Sequence, residues 1–133
     1  MDQAGHLNHL AAIAAAIATF GIGGLWYGPI LGKQWMKANG LTTDDLKKGN
    51  QGMIFGISFF LALVQSYNLA MFTAPLSFGE TVLASLAAGL GWVATALGII
   101  YLFERKSAKL FWVNAGYMTV AFVCMGVILG VWK

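Results

Sequence analysis

Leu10 to Gly32 reads LAAIAAAIATFGIGGLWYGPILG, a run without one charged side chain, and three more such runs follow at Met53–Gly79, Thr81–Phe103 and Leu110–Trp132. The hydrocarbon core of a bilayer is about 30 Å thick and a helix rises about 1.5 Å per residue, so roughly 20 apolar residues cross it. Each run is long enough to span. The expected fold class is therefore all-α: an integral membrane four-helix bundle of antiparallel hairpins, forming a single transmembrane domain over residues 1–133. Its helices are expected at about 8–31, 52–74, 79–103 and 110–132, with an interfacial segment at about 32–39.

Composition agrees with that placement. Hydrophobic residues make up 59% of the chain and charged residues only 10%, against roughly 25% charged in soluble proteins. The mean hydropathy is +0.72, and a water-soluble fold of 133 residues has too little interior to hide so much apolar surface. The formal charge of +3 is not a nucleic-acid signal, because the cations are distributed as topology determinants. Lys33, Lys37, Lys47 and Lys48 follow the first run, and Arg105, Lys106 and Lys109 follow the third. Only Lys133 falls on the other side. By the positive-inside rule, loops 33–51 and 104–109 are expected in the cytoplasm and both termini outside it. The residues before the first run carry Asp2 and no Lys or Arg, unlike the basic start of a cleaved signal peptide, so the first helix is expected to remain.

Local signals bound the helices. Trp26 and Tyr27 suit headgroup depth, and Pro29 removes a backbone donor, which predicts a kink or helix end there. Lys33–Ala38 continues as an interfacial turn with Leu31, Trp35 and Met36 toward lipid, and Asn39-Gly40 supplies a left-handed stop. Thr42 or Thr43 ahead of Asp44-Asp45 reads as a new helix start. After Pro75, Ser77-Phe78-Gly79-Glu80 has the form of a capping box and opens the third helix. Links this short predict that helices two and three, and helices three and four, pack side by side.

Apolar side chains gain little from one another in lipid, so close backbone approach must hold the helices together. Gly24, Gly28 and Gly32 on the first helix and Gly126 and Gly130 on the last have the spacing for it, as do Ala84, Ala88, Gly91 and Thr95 on the third. The alanine face Ala11, Ala14, Ala15 and Ala18 is expected to meet another copy, which makes a homo-oligomer the expected state.

Charged groups are absent from the hydrocarbon zone, which argues against a proton relay or a voltage sensor. Gln65 and Asn68 lie mid-helix and need protein or water opposite them, either as interhelical hydrogen bonds or as the lining of a polar cavity. Asn114 and Tyr117 lie at the depth of Trp26 and Tyr27 and are expected to meet them near Glu104 and Arg105, as an aromatic belt or as a second polar cluster. His6 and His9 are spaced for one helical face, but two ligands do not make a metal site. The single Cys124 reads as a packing residue. No nucleophile elbow, paired-histidine zinc motif, phosphate loop or dinucleotide fingerprint is present, so neither an enzyme nor a cofactor is expected.

The strings Gly24-Leu25-Trp26-Tyr27-Gly28-Pro29, Gly32-Lys33-Gln34-Trp35-Met36, Phe103-Glu104 and Asn114-Ala115-Gly116-Tyr117 resemble those of a family of small bacterial integral membrane proteins without an assigned function. The resemblance covers essentially the whole chain. It implies a bacterial plasma (inner) membrane and a four-helix subunit, and it supplies no catalytic residue or substrate. Three functions remain open. The first is a non-enzymatic oligomeric membrane component surrounded by lipid. The second is a small channel or transporter with a path lined by Gln65, Asn68, Asn114 and Tyr117. The third is an enzyme, redox or haem protein using His6 and His9.

Overall fold

The computed structural model describes residues 7–133, and these form helices and turns without a strand. Helix α1 (His9–Leu25) runs into a wider π-helical turn at Trp26–Ile30, and α2 (Gly32–Asn39) follows. Next come α3 (Thr43–Lys47) and α4 (Gln51–Thr73). The third long helix consists of α5 (Phe78–Ala88), a second π turn at Gly89–Ala94 and α6 (Thr95–Phe103). Helix α7 (Ala108–Val131) closes the chain. Among the described residues, four segments are long and apolar enough to cross a membrane: His9–Ile30, Gln51–Thr73, Phe78–Phe103 and Ala108–Val131.

Pro29 explains the first π turn. Its ring has no N–H to offer the preceding turn, and the ladder resumes one residue late, with the Leu31 N–H donating to the Trp26 carbonyl at 2.8 Å. The chain then passes so close to itself that a side chain at Gly32 would collide with the Tyr27 carbonyl. Gly40, with φ +67°, ends α2 in the left-handed region. Reciprocal capping boxes start α3 at Thr42/Asp45 and α5 at Ser77/Glu80, and Ser107 caps α7, which begins two residues ahead of the expected start. Arg105 holds φ +60° in the turn after α6, where the Lys106 N–H reaches back to the Tyr101 carbonyl at 2.9 Å. A glycine would take that position at lower cost.

Helices α1 and α7 form the centre of the bundle. Asn8 bonds the Trp132 carbonyl, Tyr117 bonds the Thr19 carbonyl and Trp26 bonds the Val113 carbonyl, so the contacts run in opposite sequence order along the two helices. Helix α4 packs on the free side of α1, and the third span packs on α7. The alanine face of α1 decides this order, because Ala11, Ala12, Ala15 and Ala16 are fully buried and let α4 approach until the Ser66 hydroxyl donates to the Ala12 carbonyl at 2.5 Å. The expectation that this face meets another copy is corrected for Ala11 and Ala15, which the chain's own helices cover.

The side-by-side packing expected of the second and third helices is also corrected. They meet weakly near their link and leave a cleft between them. Helix α4 has small residues for α1 but turns Gln65 and Phe72 toward the third span, and backbones with such side chains between them cannot close.

The third span and α7 approach through glycines on both sides, Gly130 and Gly126 on α7 and then Gly89 and Gly98 on the third span. The Phe78 ring covers Gly130, Ser85 covers Gly126, Phe122 covers Gly89 and Phe111 covers Gly98. Buried hydroxyls add no unpaired polar group, since Thr19, Thr73 and Ser85 each donate to the carbonyl four residues back, at 3.0, 2.7 and 2.7 Å.

Candidate functional site

The residues with chemistry to offer fall into two separate groups. At the end of the bundle that carries loops 33–51 and 104–109, the Tyr27 hydroxyl donates to Asn114 Oδ1 at 2.5 Å, and Asn114 Nδ2 donates to the Tyr101 hydroxyl at 2.8 Å. One amide thus joins the first, third and fourth spans. The Tyr27 ring also stands edge-on to Tyr117, with centroids 5.2 Å apart, and to Trp35, at 5.7 Å. Trp26 Nε1 donates to the Val113 carbonyl at 2.8 Å. Gly23 and Gly116 make room for this cluster, the first under the Tyr117 ring and the second under the Trp26 ring. Asn114 and Tyr117 therefore do lie with Trp26 and Tyr27, and each polar atom in the cluster is used in cohesion. Glu104 is exposed, and among the described residues the only ion pair within 4.0 Å is Lys48–Asp45, at 3.5 Å.

Gln65 and Asn68 lie elsewhere. Both line the cleft between α4 and the third span, a space of about 400 Å³ whose far wall includes Trp92 and whose floor is Phe122. Asn68 turns its amide back to the Val64 carbonyl at 2.8 Å. The half-buried Gln65 amide makes no hydrogen bond among the described residues. Neither Asn114 nor Tyr117 reaches this cleft, so the four residues do not line one continuous path within the chain. A second space, of about 700 Å³, lies between the end of the first span and the start of α4. Each large cleft borders one of the two π turns: Trp92 belongs to one and Tyr27 to the other.

Gly126 and Gly130 sit in the tight seam with the third span, whereas Gly24 and Gly28 face open space that a Cβ would not fill. The glycine of the first span that does take a neighbouring ring is Gly23, one position away, and spacing alone does not separate it from Gly24.

At the opposite end, His9 Nδ1 lies 3.0 Å from the Tyr67 hydroxyl. His6 lies outside the described residues. No group of three or more His, Cys, Asp or Glu able to hold a metal occurs among the described residues. Cys124 is half-buried and free. Sequence reasoning missed the part played by Lys133. Its ammonium donates to the Thr73 carbonyl, to the Leu76 carbonyl at 2.7 Å and to the Thr81 hydroxyl at 2.9 Å. It neutralises the negative end of α4 and ties the link between α4 and α5 to the tail. Partial burial holds this ammonium below the usual lysine range, with Glu80 pulling the other way.

An all-helical, multi-pass membrane protein is the class that this fold defines. The family model described as "Protein of unknown function (DUF1761)" matches residues 10–130, and the chain belongs to that family. Comparisons with curated proteins and with solved structures gave no match.

Proposed function

We propose that the chain is a non-enzymatic, homo-oligomeric component of a bacterial plasma membrane. In this reading the bundle is antiparallel, loops 33–51 and 104–109 are cytoplasmic and both termini are outside, which the distribution of the cations supports.

The observation that carries the oligomer is Gln65. An amide near the middle of a membrane span needs a partner, because hydrocarbon supplies none and each unsatisfied group costs several kcal/mol. The chain leaves this one open on a cleft it does not close. A second copy laid against the cleft supplies an amide by symmetry, and a single buried polar pair of this kind fixes partner and register. A channel reading, with water opposite Gln65, has the cleft in its favour and the separation of Asn114 and Tyr117 against it.

Gln65→Cys in a Cys124→Ser background separates the two in proteoliposomes. Disulfide-linked dimers on mild oxidation, with no labelling by a membrane-impermeant thiol reagent, support the oligomer. Labelling without dimers overturns it in favour of the water path.

A further inference from the structure

The 700 Å³ cleft between the first span and α4 is separate from the cleft that Gln65 lines. We propose that it is a binding site for an anionic phospholipid, with an acyl chain in the cleft and the phosphate among Lys33, Lys37, Lys47 and Lys48.

Its size falls within the roughly 300–1,000 Å³ of small-molecule sites, and its walls suit a chain rather than a polar solute. Phe20, Tyr27, Trp35 and Phe55 supply the apolar sides, and Gly24 and Gly28 keep one wall bare. Phe55 is 58% exposed, so the cleft reaches the outer surface of the bundle, where lipid lies. Gln51 also lines it, and its amide donates to the Leu46 carbonyl at 2.6 Å. Both Trp35 and Leu46 belong to the segment that carries the cations. Lys33 and Lys37 share α2 with Trp35, and Lys47 and Lys48 directly follow Leu46. In residues 32–50 four lysines face two aspartates, leaving a net +2, and all four lysines are exposed.

An interfacial amphipathic helix with clustered lysines draws anionic lipid rather than zwitterionic lipid. The same charge disfavours a second copy here, because a symmetric contact would bring two sets of four lysines together.

The test uses the full chain in detergent, titrated with phosphatidylglycerol and phosphatidylcholine of identical acyl chains and read by nondenaturing mass spectrometry. Wild type is expected to bind phosphatidylglycerol about tenfold more tightly. Changing Lys33, Lys37, Lys47 and Lys48 together to Gln should bring phosphatidylglycerol down to the phosphatidylcholine level. Gly24→Leu, whose Cβ meets nothing within 4 Å and whose remaining atoms enter the cleft, should weaken both lipids by about tenfold with the melting temperature unchanged. Equal binding of the two lipids by wild type overturns the proposal. So does undiminished binding by Gly24→Leu, or a dimer that this substitution abolishes. If Gly24→Leu does not fold, brominated phosphatidylglycerol decides the matter through the fluorescence difference between wild type and Trp35→Phe. That difference signal should be quenched and should return with excess unbrominated lipid, and its insensitivity overturns the site.

Discussion

Gly126→Ala puts the seam between the third span and α7 under direct strain. A Cβ built on Gly126 lies 2.5 Å from Ser85 Cβ and 3.3 Å from the Thr81 carbonyl oxygen, against ordinary contacts of 3.4 Å or more. The near neighbour is no flexible tip, since Ser85 is fully buried and its hydroxyl is held by Thr81 at 2.7 Å. The helices must therefore separate by roughly an ångström, which loosens the contacts at Gly130 and Gly89 on either side. Overpacking of this kind costs about 1–3 kcal/mol, and the better helix propensity of alanine returns up to about 1 kcal/mol. The expected net destabilisation is about 1–2 kcal/mol.

Unfolding in mixed micelles titrated with sodium dodecyl sulfate, followed by circular dichroism, measures it. The control is Gly21→Ala, where a Cβ meets nothing and the expected change is a stabilisation of about 0.5–1 kcal/mol. The decisive comparison is a double-mutant cycle. In a Ser85→Gly background the obstructing Cβ is gone, and Gly126→Ala should cost nothing, giving a coupling of about 1–2 kcal/mol. Wild-type stability for Gly126→Ala, or a loss that Ser85→Gly leaves unrelieved, would refute the close approach.

Asn114→Ala removes the acceptor of the Tyr27 hydroxyl and the donor to Tyr101 together. With interhelical hydrogen bonds in membranes worth about 0.6 kcal/mol each, the same micelle titration should show a loss of about 1–2 kcal/mol, and Tyr27→Phe about half of it. The start of α3 should depend on pH. The Thr42 backbone N–H, then its hydroxyl, then Lys48 hold the Asp45 carboxyl below the usual carboxylate range. A carboxylate with a depressed folded-state value contributes its stability in full above the ordinary range and loses it as pH falls through the depressed value. The protection of the Thr42 amide, its exchange rate by nuclear magnetic resonance relative to the intrinsic rate at the same pH, should therefore fall at acidic pH, and Asp45→Asn should remove that pH dependence.

The sequence made the spans legible because the rule that excludes charge from hydrocarbon acts on each residue separately. The same holds for the capping boxes at Thr42/Asp45 and Ser77/Glu80 and for the stop at Gly40, which involve residues within one turn of each other. The meeting of Asn114 and Tyr117 with Trp26 and Tyr27 was legible through depth, since equal distances from the membrane surface bring side chains level. The left-handed Arg105 was not legible, because the turn carries none of the residues that favour this conformation.

By itself, the sequence determined that the chain is a helical membrane protein, where each helix runs and where its cations gather. Only the tertiary structure decided which helices touch. It gave the alanine face of α1 to α4 and α7, set Gly126 in a seam and left Gly24 open, and placed Gln65 apart from Asn114. The physical reason is the solvent. In lipid, burial does not distinguish one apolar face from another, so helix pairing is settled by how closely two particular backbones can approach, and that depends on both surfaces at once.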